Sequence, residues 1–196
     1  MIARPIHHRA VGITVDSIGN VYVTDSFSPV IYKIDTKGKP SIFLESYKFI
    51  GNGINSNSIV YHPDGYLIII KKSDGALFKV PLDNPKDFSE IQSNSKFIGG
   101  DGLILVDKEN LIVVANRASG ITTETVFSLA TDDSWQSAKV TDKVKFGDVY
   151  LTTGVIRKNM IYVIHSNINA LVQAPHEQKS KLKHLAKIQQ VGSVQR

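Results

Sequence analysis

Apolar and polar residues alternate along this chain in short runs, each closed by a tight polar turn, and the plan returns about every 45 residues. The first unit reads GITVDSIGNVYVTDSFSPVIYKIDTKGKPSIFLE, from Gly12 to Glu45. The second starts at Ser58, SIVYHPDGYLIIIKKSDGALFKVPLD. The third starts at Gly102 with GLILVDKENLIVVANRASG and continues from Glu124 as ETVFSLATDDSWQSAKVTD. A shorter fourth copy, TGVIRKNMIYVIHSNINALVQA, starts at Thr153. A period of two with β-branched and aromatic residues, as in Val21, Tyr22, Val23 and Thr24, predicts strands.

The punctuation recurs with the strands. One turn falls at Ser17 to Asn20, Pro63-Asp64-Gly65 and Asp107 to Asn110, and the next at Ser26 to Pro29, Ser73 to Gly75 and Ala118 to Gly120. Pro presets φ, Asp bonds its own backbone and Gly accepts φ > 0, so each suits a turn for its own reason. A fourth strand is expected at Ser41 to Leu44 in the first unit and at Ser137 to Val140 in the third. Helical periodicity is confined to residues 176–187, which fit a short helix or a solvated loop. The pattern predicts an all-β fold, a β-propeller in which small sheets pack radially around a channel. A single domain over 1–196 divides into blades at about 11–50, 51–98, 99–147 and 148–196.

Composition narrows the chemistry. With 42% hydrophobic residues the 196-residue chain suits one globular domain. It has no cysteine, so disulfides and zinc–sulfur sites are excluded. No run of eighteen apolar residues occurs, so no membrane-spanning helix is expected. The segment MIARPIHHRA lacks the apolar core of a secretory signal, which predicts a soluble chain of unassigned compartment. The net charge of +5 is concentrated near the C-terminus in Lys179, Lys181, Lys183, Lys187 and Arg196, offset by Glu177. A basic tail on a near-neutral body argues against nucleic acid as partner.

The phrases GITVDSIGNVYVTDSFSPVIYKID, YHPDGYLIIIKKSDGALFKV and GGDGLILVDKENLIVVANRASG resemble the senescence marker protein/gluconolactonase/luciferin-regenerating-enzyme superfamily. They are most similar to its plant and bacterial calcium-dependent phosphotriesterase-like branch, and DDSWQSAKV, from Asp132 to Val140, is similar to that branch too. The likeness runs from Val11 to about Val191. Propellers of that family have six blades, so the resemblance implies about four blades of a six-bladed ring, with two N-terminal blades absent and LAKIQQVG as the last strand. The repeat itself allows either a compact four-bladed propeller or part of a larger ring; an open ring exposes apolar sheet faces at its ends and would need further blades, another partner or self-association with a second copy.

The resemblance implies a metal-dependent hydrolase acting on a lactone, ester or organophosphate as its small-molecule substrate. One divalent cation, Ca²⁺ or Zn²⁺, would polarise the scissile group and activate water on the ring axis. Reading the start of each innermost strand as the axial position gives Val11, Asn57, Asp101 and Thr153. By resemblance Asn57 and Asp101 are metal ligands and Asp101 the candidate base, while the family's first-blade Glu has no counterpart here and Ser58 stands where Gly is usual. Asn and Asp before a strand are also frequent turn residues that bond nearby amides, and that reading stays open for both.

Other candidates are weaker. His165 ends the second strand of the last unit and is a candidate substrate contact at the channel mouth. Asp25 reads as a turn carboxylate, His7 and His8 as solvated, His62 as structural and Trp135 as a blade-edge anchor. Ser58 and Ser119 have no recognisable His–Asp partners, which argues against a serine-hydrolase triad. The alternative function is a non-catalytic NHL-like propeller that binds a small ligand or a protein.

Overall fold

The structure, a computed structural model, describes residues 7–117, 123–166, 168, 174–179 and 186–194. Its strands form four antiparallel sheets, each assembled from consecutive strands. The first contains β1 (Ala10–Val15), β2 (Val21–Asp25), β3 (Val30–Ile34) and β4 (Pro40–Glu45). The second contains β5 (Ser56–His62), β6 (Tyr66–Lys71), β7 (Leu77–Pro81) and the two-residue β8 (Ser89–Glu90). The third contains β9 (Gly100–Leu105), β10 (Asn110–Ala115), β11 (Glu124–Ala130) and β12 (Lys139–Phe146). The fourth has three strands, β13 (Leu151–Arg157), β14 (Met160–His165) and β15 (Lys187–Ser193).

The first strands lie side by side, β1 on β5, β5 on β9 and β9 on β13, so the four sheets are the blades of a β-propeller with an all-β core. The short α-helix α1 (His176–Lys179) ends well before residue 187, where β15 begins. No helix among the described residues is long and apolar enough to cross a membrane. The turn at Ala118 to Gly120 and the basic residues Lys181, Lys183 and Arg196 lie outside the described residues.

Burial explains the strand sequences. Tyr22, Ile31 and Leu44 of the first blade, with Phe49 just after it, pack against Ile59, Leu67, Ile69, Phe78 and Val80 of the second. The other face of the second blade, with Tyr66, Ile68, Ile70 and Leu77, packs against Leu103, Leu111, Val113 and Leu129 of the third. β6 is therefore covered on both faces, which is why it reads as an unbroken apolar run rather than an alternating one. Ile104, Ile112, Val114 and Val126 of the third blade then meet Leu151, Ile161 and Val163 of the fourth.

The end blades are covered on one face only. Cross-strand pairing lines up Ile13, Val23, Tyr32 and Ile42 across the uncovered face of the first blade, with Val15, Val21 and Ile34 in the adjacent row. Ile13 is 66% exposed, whereas its counterpart Ile59 in the second blade is 3% exposed. On the opposite end Val155 pairs with Tyr162, and Ile164 with Ile188, with Val155 and Ile188 exposed. No packing comparable to that between neighbouring blades joins β13 to β1 among the described residues.

Two local expectations change. The outer strand of the third blade begins at Lys139, not Ser137, because Asp133 holds the preceding turn. Its carboxylate accepts the backbone N–H of Gln136 and both the N–H and hydroxyl of Ser137, at 3.0, 2.9 and 2.7 Å. The hydrogen bond from the Ser137 side chain leads in pulling the Asp133 carboxyl down to about 2. Trp135 is not at a blade edge. It is fully buried between the second and third blades and donates Nε1–H to the Lys108 carbonyl at 2.8 Å.

A buried carboxylate fixes the first hairpin. Asp16 accepts from the Asn20 amide (2.7 Å), the Tyr22 hydroxyl (3.1 Å) and the backbone N–H groups of Ile18 and Asn20. Burial pushes this carboxyl up, but the Asn20 bonds, with those from Ile18 and Tyr22, outweigh it and leave it below its ordinary 3.8. The unfolded chain therefore binds the Asp16 proton at higher pH than the folded one, so the stabilisation is full above about pH 4. It is lost as pH falls through the lower folded value. Thermal melts of Asp16→Asn are expected to change less between pH 6 and pH 3 than those of the wild type, and equal slopes would contradict this.

Candidate functional site

The channel side is built by one irregularity repeated in every blade. Cross-strand pairing matches Ala10 with Asp25, Ser56 with Lys71, Gly100 with Ala115 and Leu151 with His165, and the register shifts next to each pair. Such bulges re-aim the side chains beside them. The residues that follow the first members are Val11, Asn57, Asp101 and Thr152, so Thr152, and not Thr153, is the fourth-blade counterpart of Asp101. The residues that follow the second members are Ser26, Lys72, Asn116 and Ser166.

These two sets latch neighbouring blades together. The Ser26 hydroxyl donates to the Ser56 carbonyl at 3.0 Å and the Asn116 amide to the Leu151 carbonyl at 2.7 Å. The backbone N–H groups of Asn55 and Gly99 donate to the carbonyls of Ser26 and Lys72. The inner strands approach closely enough to need small residues. A Cβ on Gly102 would lie 2.8 Å from both the Thr152 oxygen and the Thr153 Cα. Gly102→Val is expected to lower stability by about 1–3 kcal/mol in urea unfolding, by overpacking. A neutral result would mean that the strands are farther apart than described.

Asp101 is the hub. Its Oδ1 accepts from the Asn57 amide at 2.5 Å and the Lys72 ammonium at 2.7 Å, and its Oδ2 from the Asn116 amide at 2.7 Å. The Lys72 side chain is 3% exposed and that of Asp101 16%. Burial pulls the Lys72 amine below its ordinary value, and the charge and hydrogen bond of Asp101 partly restore it. A carboxylate has about four acceptor positions, so three donors leave one open on Oδ2. The Asn57 Oδ1 is buried without a hydrogen-bond partner.

Asn57, Lys72 and Asp101 line a cleft of about 650 Å³ whose walls include Val11, Thr152, Tyr150 and Arg9 from the first and last blades. Beside it, Glu124 is buried and accepts the backbone N–H groups of Tyr150 and Leu151 at 2.8 and 2.5 Å. Burial pushes its carboxyl above the usual glutamate value.

The expected site residues fall differently. Asn57 and Asp101 meet in the cleft, while Val11 contributes only an apolar wall. His165 is outside the cleft lining; its ring is buried edge-on to Phe146, 5.6 Å between centroids. Burial lowers its pKa. His8 is paired, not simply solvated, with Nδ1 2.6 Å from Asp25 Oδ2. Asp25 also accepts the N–H groups of Arg9 and Phe27, in keeping with a turn carboxylate. His62 is structural, stacked on Tyr66 and bonded to the Lys108 carbonyl. Ser119 lies outside the described residues. Lys72 and Asn116 were not legible as site residues: each follows a second strand inside a turn, and the resemblance assigns neither a role.

The donor set does not suit a divalent cation as it stands. Among the described residues Asp101 is the one carboxylate in the cleft lining, and no three His, Asp or Glu are grouped so as to hold a metal ion. Ca²⁺ takes six to eight oxygens at 2.3–2.6 Å. A cation at that distance from Asp101 Oδ1 would press against the Lys72 ammonium.

No family model and no curated protein matches the chain. Among solved structures, a streptogramin B lyase aligns with a TM-score of 0.61 at 13% identity, over 82% of this chain and 49% of its own. A gluconolactonase from Xanthomonas campestris aligns with a TM-score of 0.61 at 13% identity, over 80% and 56%. The computationally designed Ika4 protein aligns with a TM-score of 0.56 at 8% identity, over 96% and 94%. This chain thus has the propeller fold of gluconolactonase and streptogramin B lyase, and it spans about half the length of each.

Proposed function

We propose that the cleft binds a small molecule carrying a lactone, ester or phosphotriester group, and that Asp101 serves as general base in its hydrolysis. The observation that carries this reading is the Asp101 carboxylate itself. It sits at the cleft floor, fixed by donors from three positions and keeping one acceptor position for a water or ligand hydroxyl. Fixing both oxygens removes the reorganisation that a mobile carboxylate would need. The Lys72 ammonium favours negative charge developing on a ligand oxygen, since opposite charges in a water-poor cleft interact strongly. A gluconolactonase and a lyase on this fold lend precedent. One fold hosts many chemistries, so the reading rests on the residues.

Hydrolysis of a panel of lactones, aryl esters and phosphotriesters, each assayed with and without chelator, tests the proposal. Turnover that falls about 10²-fold or more in the near-isosteric Asp101→Asn supports a proton-transfer role. Turnover unaffected by that change overturns it. A second reading, non-catalytic binding of a small ligand, is favoured by the absence of a second carboxylate and of any histidine among the described cleft residues. It predicts ligand-induced stabilisation with no turnover.

A further inference from the structure

We infer that the Lys72 ammonium takes the place of a divalent cation, so that the Asp101 cleft carries its positive charge on the chain and excludes metal. This deepens the reading of Asp101 as the site's centre. It is tested with metal alone, so its failure and the failure of the hydrolase reading are distinguishable.

Three observations converge. The ammonium lies 2.7 Å from Asp101 Oδ1, the distance of a direct charged hydrogen bond, and is itself buried beside the half-buried carboxylate. The Asn57 amide turns its N–H toward the carboxylate, leaving its oxygen buried without a hydrogen-bond partner. A metal site would need that amide reversed, with its oxygen and Asp101 facing a common point. Lastly, the second-blade bulge beside Asn57 also places Lys72 on the same side, since Lys72 follows Lys71, the partner of Ser56, and the matching third-blade bulge lies beside Asp101. Position and charge thus come from the same local geometry. With the ammonium removed, the Asn57 amide is able to rotate and offer oxygen beside the carboxylate, a two-ligand site completed by water.

Calorimetric Ca²⁺ titration of chelator-treated protein decides, comparing wild type, Lys72→Met, Lys72→Gln and Lys72→Arg, each with and without Asp101→Asn. The quantity read is binding that Asp101→Asn abolishes. Wild type and Lys72→Arg should show none. Lys72→Met or Lys72→Gln should gain it with a Kd of about 10⁻⁴–10⁻³ M, the range of loose calcium sites. Asp101-dependent binding by the wild type overturns the inference, as does failure of the folded neutral variants to bind more tightly than wild type. If Met does not fold at position 72, Gln and the wild-type comparison still decide.

The uncovered faces of the end blades carry a second, independent inference: a second copy of this chain closes onto them head to tail. Each internal boundary packs the forward face of one blade on the back face of the next. The two exposed faces are one of each kind, with Ile13, Val23, Tyr32 and Ile42 on the back face and Val155, Tyr162 and Ile188 on the forward face. The same blade-on-blade contact is therefore available between copies, and a heterologous contact of this kind builds closed rings or filaments. Sedimentation should find dimers or larger species. Val23→Lys and Val155→Lys should each reduce assembly, and their mixture should restore a dimer through the one intact pair of faces. A wild-type monomer across the micromolar range overturns this, as does a mixture that stays monomeric.

Discussion

Asp101→Ala should destabilise the protein by about 3 kcal/mol or more in urea unfolding, even though it removes a short side chain that is not fully enclosed. The cost comes from what remains. Lys72 is 3% exposed and would keep its ammonium in the protein without the carboxylate 2.7 Å away. The amide N–H donors of Asn57 and Asn116 would lose an acceptor as well. Lys72→Met should cost less, because Asp101 keeps its two amide donors and is the more exposed partner. Equal, sub-kilocalorie effects for both would place the pair in water instead of in a packed channel.

The second large effect is expected at Trp135. Its indole is fully buried among Leu111, Leu129, Ile91 and Ala138, and its Nε1–H bonds the Lys108 carbonyl. Trp135→Ala removes this volume from the boundary between the second and third blades and should cost about 3–5 kcal/mol. Trp135→Phe keeps much of the apolar volume and loses the hydrogen bond. The Lys108 carbonyl still has His62 Nε2 at 2.9 Å, so the hydrogen-bond loss should be only about 1 kcal/mol. Chemical unfolding of the two variants beside wild type checks the order. A larger loss for Phe than for Ala would contradict the packing described.

The four-bladed, all-β plan was legible because the strands carry it in their own alternation, with turn residues at matching places in each unit. β6 departs from alternation for a reason that confirms the layering: it is covered on both faces. The channel site was half legible. Asn57 and Asp101 stand before recognisable strands, whereas Lys72 and Asn116 follow strands: pairing across the third sheet brings Asn116 to Asp101, and the packing of the second blade on the third brings Lys72. The Thr152 register was hidden by a bulge, since counting along the chain does not reveal where one strand gains a residue over its partner. Trp135 follows two acidic residues in a hairpin and so reads as a blade-edge anchor. One of those acids, Asp133, instead builds the turn that points it inward by holding Gln136 and Ser137, with the Thr131 hydroxyl accepting the Trp135 N–H.

The account centres on one buried pair that neighbouring blades contribute to a shared channel, and a double-mutant cycle on Lys72 and Asp101 tests it most directly. Unfolding free energies would be measured for wild type, Lys72→Met, Asp101→Asn and the double variant. The pair predicts that the double variant loses clearly less than the two single losses together, with a coupling of about 1–3 kcal/mol. Additive losses within a few tenths of a kilocalorie would contradict it, because two side chains in direct charged contact inside a packed channel do not respond independently.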